Sequence, residues 1–424
     1  MGDLMTTKDC SCAEYTSSRR SFLRNALAVT GGGVATVAFG ETFRQTAYGA
    51  TDGNVLVVLS LRGGADGLSI VVPHGDPLYY PSRPRIAIPK ETLLVRDDLF
   101  GLHPALQPLE SMWSAGKMTA IHATGLPQPN RSHFSAVEEI EDADLGSQLR
   151  TGWINRLIGL DSDKGPLEAV TVGSGLLPTS MYGPEPTLAT NRTENIQLFG
   201  AQDDAGQVLR RKALTQLWQD AEGPLGNGAR SSLATTATLG PALAQRYLPA
   251  NGAKYPDSDL GLALKDTARL VKARVGVEVV TLDYGSWDMH SHLGTLGSTA
   301  PSSMQGMVSN MGQALAAFFT DLGAVGDRVT LVTLTEFGRR VRENGATGLD
   351  HGWGNATLLM GAGVKGGRYY GRWPGLDTTS TLDGDVAVTT DYRSILSEVL
   401  VTRFGVSVPA VFPDFQPQSL GIMA

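Results

Sequence analysis

Residues 54–61 (NVLVVLSL) are apolar at nearly every position, and the run breaks at once into Arg62-Gly63-Gly64-Ala65-Asp66-Gly67. A strand with one wet face alternates apolar and polar side chains; one that is apolar throughout has to be covered on both faces. Apolar strand patterns recur at residues 117–123, 169–172, 277–282, 328–334 and 357–361. A second short apolar run at residues 68–72 stops at Pro73. Helical patterns fall between the strands, at residues 102–115, 135–143, 152–160, 307–322 and 392–403. Doubly buried strands separated by helices predict an α/β protein, with a mainly parallel sheet and helices on both faces. From Ala201 to about Val271 the pattern is mostly helical, interrupted at Gly223-Pro224 and at residues 249–256. This helical insertion is expected to cover the sheet or form a lid within a single domain spanning residues 50–424.

Ahead of that domain stands Ser18-Arg19-Arg20-Ser21-Phe22-Leu23-Arg24, followed by a short apolar stretch diluted by Gly31, Gly32 and Gly33. A charged segment before a short apolar one is a targeting peptide, and this one is too short and glycine-broken for a good membrane span. Paired arginines followed by Phe-Leu match the twin-arginine pattern. Residues 1–49 are therefore expected to be a signal peptide read by the twin-arginine translocation machinery. Cleavage is expected near Ala47-Tyr48-Gly49, leaving a periplasmic or secreted protein with no stable membrane span. Both cysteines, Cys10 and Cys12, precede the arginine pair, so the mature chain is expected to lack disulfides and thiolate chemistry. With 35 Lys and Arg against 42 Asp and Glu, unclustered, the net charge of -7 gives no basis for a nucleic-acid partner.

Polar residues gather just after the strands, where open α/β folds place their ligands. Asp66 in its glycine turn suits either a cation or a local Asx turn. In Asn130-Arg131-Ser132-His133-Phe134, the rigid fork of Arg131 suits a tetrahedral oxyanion. Ser132 and His133 are candidate nucleophile and base, although adjacent residues seldom face one another; Ser132 is equally suited to capping the following helix. Asp288, His290 and His292 offer the carboxylate–imidazole set preferred by zinc and other borderline metals; on an extended segment they would share one face, and in a loop they could converge more tightly. Glu336 leaves the strand at residues 328–334, suited to a metal, to acid–base work or to an ion pair with Arg339. Asp350-His351 lies in a second glycine-flanked loop. His74 and His103, beside turns, are expected as surface hydrogen-bonders, and His122 inside a strand as packed or substrate-facing.

Taken together, the leader, Leu61-Arg62-Gly63-Gly64-Ala65-Asp66-Gly67, the 130–134 segment, Trp287-Asp288-Met289-His290, Thr335-Glu336-Phe337-Gly338-Arg339 and Asp350-His351-Gly352 resemble the DUF1501 family of exported bacterial proteins. That family in turn resembles the alkaline phosphatase and sulfatase superfamily, which implies an alkaline-phosphatase-like core with one or two metals at strand ends. By this resemblance Asp66 matches a first-strand metal carboxylate and Ser132 lies in the region of the nucleophile. Asp288 with His290 or His292 matches later ligands, and His351 a late histidine ligand. The chain departs from the superfamily at Thr335-Glu336-Phe337, where an Asp-His pair is usual. The implied function is metal-dependent hydrolysis of a phosphate or sulfate ester, using zinc, calcium or magnesium. The alternative is a non-catalytic extracellular binding or assembly protein that holds a glycan or a partner.

Overall fold

A computed structural model describes residues 36–38, 53–146, 150–161, 167–198, 200, 203–243, 245–377 and 381–424. The arginine pair, both cysteines and the expected cleavage site lie outside the described residues. Among the described residues, ten strands form one sheet: β1 (Thr36–Ala38), β2 (Val55–Leu61), β3 (Met118–Gly125), β4 (Ala169–Val172), β5 (Thr187–Thr190), β6 (Val279–Tyr284), β7 (Val329–Leu334), β8 (Asn355–Gly361), β9 (Tyr369–Tyr370) and β10 (Thr390–Asp391). Their order is β1-β5-β4-β6-β2-β7-β8-β3-β9, with β10 also pairing β3. All neighbours are parallel except the edge pair β1–β5 and the two pairs made by β8, so the sheet is mixed and mostly parallel.

The side chains of β2 show why its sequence is apolar at all positions but Ser60. Val55, Val57, Leu59 and Leu61 enter one core, with Leu260, Leu264, Met311 and Phe318. Leu56 and Val58 enter another, with Ile140, Trp153, Ile154, Ile395, Leu396 and Val399. The first core contains α5 (Asp259–Ala273) and α6 (Met304–Leu322). The second contains α1 (His133–Asp142), α2 (Trp153–Ile158) and α7 (Tyr392–Phe404). Each such fully buried side chain contributes about 1.5–3 kcal/mol relative to exposure, so a polar residue at any of these six positions would be costly on either face; the one polar residue of β2, Ser60, is only part-buried.

The 201–271 segment holds α3 (Asp204–Trp218), α4 (Gly223–Leu243) and most of α5. Only α5 buries a full apolar face; Val208, Leu209 and Leu217 of α3 are exposed. The short apolar run at residues 68–72 forms a single helical turn, Gly67–Ile70, and a two-residue strand, Val71–Val72. One sequence expectation is corrected. The helix expected over residues 102–115 divides into a 3-10 segment, Pro104–Leu109, and a short α-helix, Glu110–Ser114. Pro108 lacks the N–H that a continuous α-helix would require there.

Because β8 runs antiparallel to both β7 and β3, its first residue lies at the edge where those strands end. The turn after β2, the segments after β3 and β6, and the long β7–β8 connection therefore meet at one end of the sheet.

Candidate metal centre

Four ligand atoms converge at this edge. Nε2 of His351 lies 3.0 Å from Nε2 of His133 and 2.9 Å from Nε2 of His290. Asp288 Oδ1 lies 3.0 Å from His290 Nε2 and 3.2 Å from His351 Nε2, and Oδ2 lies 3.5 Å from His133 Nε2. Among the described residues, His133, Asp288 and His351 form a group whose ligand atoms all fall within 4.8 Å of one another. His290 stands outside that group, against His351 and Asp288.

What the opposite ring nitrogens touch fixes the chemistry. His351 Nδ1 lies 2.9 Å from the backbone oxygen of Arg131, which can only accept, so Nδ1 carries the hydrogen. His133 Nδ1 lies 2.8 Å from Glu336 Oε1, and His290 Nδ1 lies 3.2 Å from Asp350 Oδ1. With Nδ1–H donating in each ring, every Nε2 presents a lone pair to the Asp288 carboxylate, and that of His351 also faces those of His133 and His290. No hydrogen within that set satisfies them; the arrangement calls for a cation, either a proton or a metal ion. Imidazoles anchored through Nδ1 by oxygen acceptors are the usual outer shell of a metal-bound histidine. A zinc ion with Zn–N near 2.05 Å would hold neighbouring donors about 3.3 Å apart, within a few tenths of an ångström of the separations among His133, Asp288 and His351. The residues present therefore fit a borderline divalent metal.

The remaining contacts hold these donors in place. Arg339, fully buried on the β7–β8 connection, donates from Nη2 to Asp288 Oδ1 at 2.6 Å and from Nε to Gly64 O at 2.6 Å. Against the upward push of burial, this hydrogen bond and charge, then His290 and His351, hold the Asp288 carboxyl below its usual range. Burial pushes His351 below the ordinary histidine value, despite opposing help from the Arg131 carbonyl and Asp288. Phe337, itself buried, packs under both His133 and His351, with ring centroids 4.7 and 4.8 Å away. Glu336 is buried and also accepts from Gly63 N–H at 2.7 Å. Gly63 sits at φ +108°, and a Cβ there would come within 2.7 Å of the Asp288 backbone nitrogen, so only glycine allows this turn to approach the site.

The candidate residues named from sequence separate into those that meet and those that do not. His133, Asp288, His290 and His351 supply the converging atoms, with Glu336 and Asp350 behind them. His133 is thereby turned away from the role of base for Ser132. Buried Trp287 and Met289 alternate with exposed Asp288 and His290, but the pattern ends before His292, which sits exposed at φ +51°. His290 is therefore the one whose ring enters the site. Asp66 is 2 % exposed and stands apart: Arg83, fully buried, grips both its oxygens, with Nη2 at 3.0 Å from Oδ1, and Ser69 donates to Oδ2. The guanidinium of Arg131 is engaged by buried Asp385, with Nε 2.9 Å from Oδ2, so it is the Arg131 carbonyl that serves the cluster. Arg339 pairs with Asp288 rather than Glu336. Ser132 is the exposed N-cap residue of α1, yet its hydroxyl makes no capping bond; its backbone N–H donates to Asn130 Oδ1 at 3.0 Å.

Sequence reading missed Arg83 and Asp385. Arg83 follows a single helical turn and Asp385 begins a two-residue strand, segments too short for any periodicity or motif to mark them. The expectation that His74 and His103 lie at the surface is overturned: both are buried, as is His122. His122 stacks on Phe100 at 4.3 Å between ring centroids.

The family model described as "Protein of unknown function (DUF1501)" matches residues 54–391. No curated protein matches the sequence at a significant level. Among solved structures, the C-terminal periplasmic domain of EcEptC from Escherichia coli is similar at 10% identity and TM-score 0.37, covering 89% of this chain and 92% of that one. A protein in the alkaline phosphatase superfamily from Vibrio parahaemolyticus is similar at 10% identity and TM-score 0.30, covering 80% of this chain and 64% of that one. The lipoteichoic acid synthase LtaP from Listeria monocytogenes is similar at 9% identity and TM-score 0.34, covering 78% and 71%. Likenesses this distant carry no chemistry with them; the site stands on this chain's own side chains.

Proposed function

The chain belongs to the DUF1501 family, and from that premise we propose that it is an exported metal-dependent hydrolase of phosphate or sulfate esters. One observation carries the reading: the Nε2 atoms of His133, His290 and His351 converge on Asp288 while each Nδ1 is held by an oxygen acceptor. Three nitrogen donors and one oxygen favour zinc over calcium or magnesium, which prefer all-oxygen surroundings. The chemistry such an ion supplies when bound is Lewis-acid polarisation of the ester and a lowered pKa for a coordinated water. Arg339 keeps Asp288 ionised, Glu336 orients His133, Asp350 orients His290, and the Arg131 carbonyl fixes the tautomer of His351. Ser132 is the candidate nucleophile, since its hydroxyl is not occupied in capping the helix that carries His133; a water is the other.

Twin-arginine export to the periplasm or beyond is part of the same proposal. It rests on Ser18-Arg19-Arg20-Ser21-Phe22-Leu23-Arg24, and a chain carried out folded can take up its metal beforehand. Among the described residues, no helix is long and apolar enough to cross a membrane. The test pairs metal analysis of purified protein with assays on aryl phosphate and aryl sulfate. One metal per chain with turnover that chelation abolishes is the expected result; an empty site without turnover sinks the proposal. The second reading, a non-catalytic binding or assembly protein, draws on the engagement of Arg131 by Asp385, which leaves that guanidinium poorly placed to hold an oxyanion. Metal binding without turnover of either ester would favour it.

A further inference from the structure

A catalytic metal site keeps three protein ligands and an open position, and here His133, Asp288 and His351 form one group with His290 beside it. The four donors here are not held alike. His133 begins α1, its ring packed on Phe337 and its Nδ1 on buried Glu336. His351 also packs on Phe337, donates to the Arg131 carbonyl, and pairs through its backbone bridge with buried Arg339. Asp288 is gripped by Arg339. His290 differs in its place and its anchor: it stands outside the group of three, and its Nδ1 partner Asp350 is 53% exposed, whereas Asp288, about as exposed as His290, is held by buried Arg339. His290 and Asp288 share an irregular segment bracketed by two non-glycine residues at positive φ, Ser286 at 75° and His292 at 51°.

We infer that His290 is an exchangeable ligand, and that its place in the cluster is where an oxygen of a tetrahedral oxyanion enters. The inference rests on the metal reading above and extends it. His133, Asp288 and His351 form the permanent set; His290 closes the site at rest and swings toward solvent when the oxyanion arrives. The exchange makes one metal–oxygen bond and breaks one metal–nitrogen bond, with no electron transferred, and it frees a lone pair on Nε2. Asn344 stands beside this movement, donating from Nδ2 to both His290 O at 2.8 Å and Asp350 Oδ1 at 3.2 Å. It keeps the backbone in place while the ring departs.

Cobalt titration of the full chain tests this, because cobalt's visible absorption reports its donors without requiring turnover. His290→Gln is expected to keep one cobalt per chain, weakened by about 10-fold, whereas His351→Gln loses it by a further ~100-fold. Inorganic phosphate is expected to shift the cobalt spectrum of His290→Gln at a concentration about 10-fold lower than in the natural chain. Asp350→Asn, which loosens the anchor without removing the ligand, is expected to fall between them. Equal loss of cobalt in His290→Gln and His351→Gln, or identical phosphate titrations in all three proteins, overturns the exchange. In either case cobalt bound by the natural chain leaves the metal reading standing. A natural chain that binds no cobalt overturns both.

Discussion

Six of the seven histidines fall into two groups of three, and the groups are opposites in construction. His133, His290 and His351 lie partly exposed at one edge of the sheet, each with Nδ1 on an oxygen acceptor and Nε2 aimed at a shared point. His74, His103 and His122 are buried, and each keeps one ring nitrogen without a protein partner: Nδ1 of His74, Nε2 of His103 and Nδ1 of His122. The same side chain thus gathers lone pairs around Asp288 in one group, on which the proposed metal centre rests, and packs as a buried ring in the other. Burial decides the second case. It pushes His103 down to about 4, and it does the same to His122 against the opposing charge of Asp97.

Changes in metal affinity and stability would break or sharpen this contrast. The largest expected effect is on metal binding: His351→Ala or His133→Ala should weaken zinc by about a thousandfold in chelator competition. His122→Phe should leave zinc affinity unchanged, and a comparable loss there would abolish the division into two groups. The next effect is on stability. A folded-state value near 4 against the ordinary 6.5 means that the unfolded chain binds more protons between those pH values. Stability from His103 and His122 is therefore fully present above about pH 6.5 and is lost as pH falls toward 4, by roughly 3 kcal/mol each. Denaturant titrations at pH 7 and pH 4 measure the loss, and His122→Phe should flatten the curve.

Smaller again is Glu336→Gln, which keeps an acceptor for His133 but removes its charge. Zinc affinity should fall about 10-fold, read by the same chelator competition. Smallest on the metal scale is Asp66→Asn, for which zinc stoichiometry should not change at all. That variant should instead lower stability by about 3–5 kcal/mol, because Arg83 would be left as a buried charge with a weakened partner. Loss of zinc from Asp66→Asn would join Asp66 to the cluster and redraw the site.

Much of the architecture was legible because burial on both sheet faces leaves a local mark. The strands at residues 169–172 and 329–334 coincide with the apolar runs to within a residue, and α6 begins three residues before its periodic pattern suggested. The edge location of the site was legible too, since Asp288, Glu336 and His351 all flank strands. Individual roles were not. Asp66 looks like Asp288 in sequence, a carboxylate in a glycine-flanked or aromatic turn, but Arg83 approaches one and three imidazoles approach the other. His290 and His292 have the same parity on an extended strand; the left-handed backbone at His292 separates them.

The sequence by itself determined which segments are doubly buried and which polar residues follow them, because covering a strand is a demand placed on neighbouring residues of one segment. It also placed a twin-arginine leader ahead of the domain, as an expectation. Only the tertiary structure decided which polar residues share a point in space. That depends on strand order, on the reversal of β8 that returns His351 to the same edge as His133, and on a left-handed residue at 292. Hydrogen-bond direction across chain separations of some two hundred residues then fixed the histidine tautomers, and no local pattern encodes that.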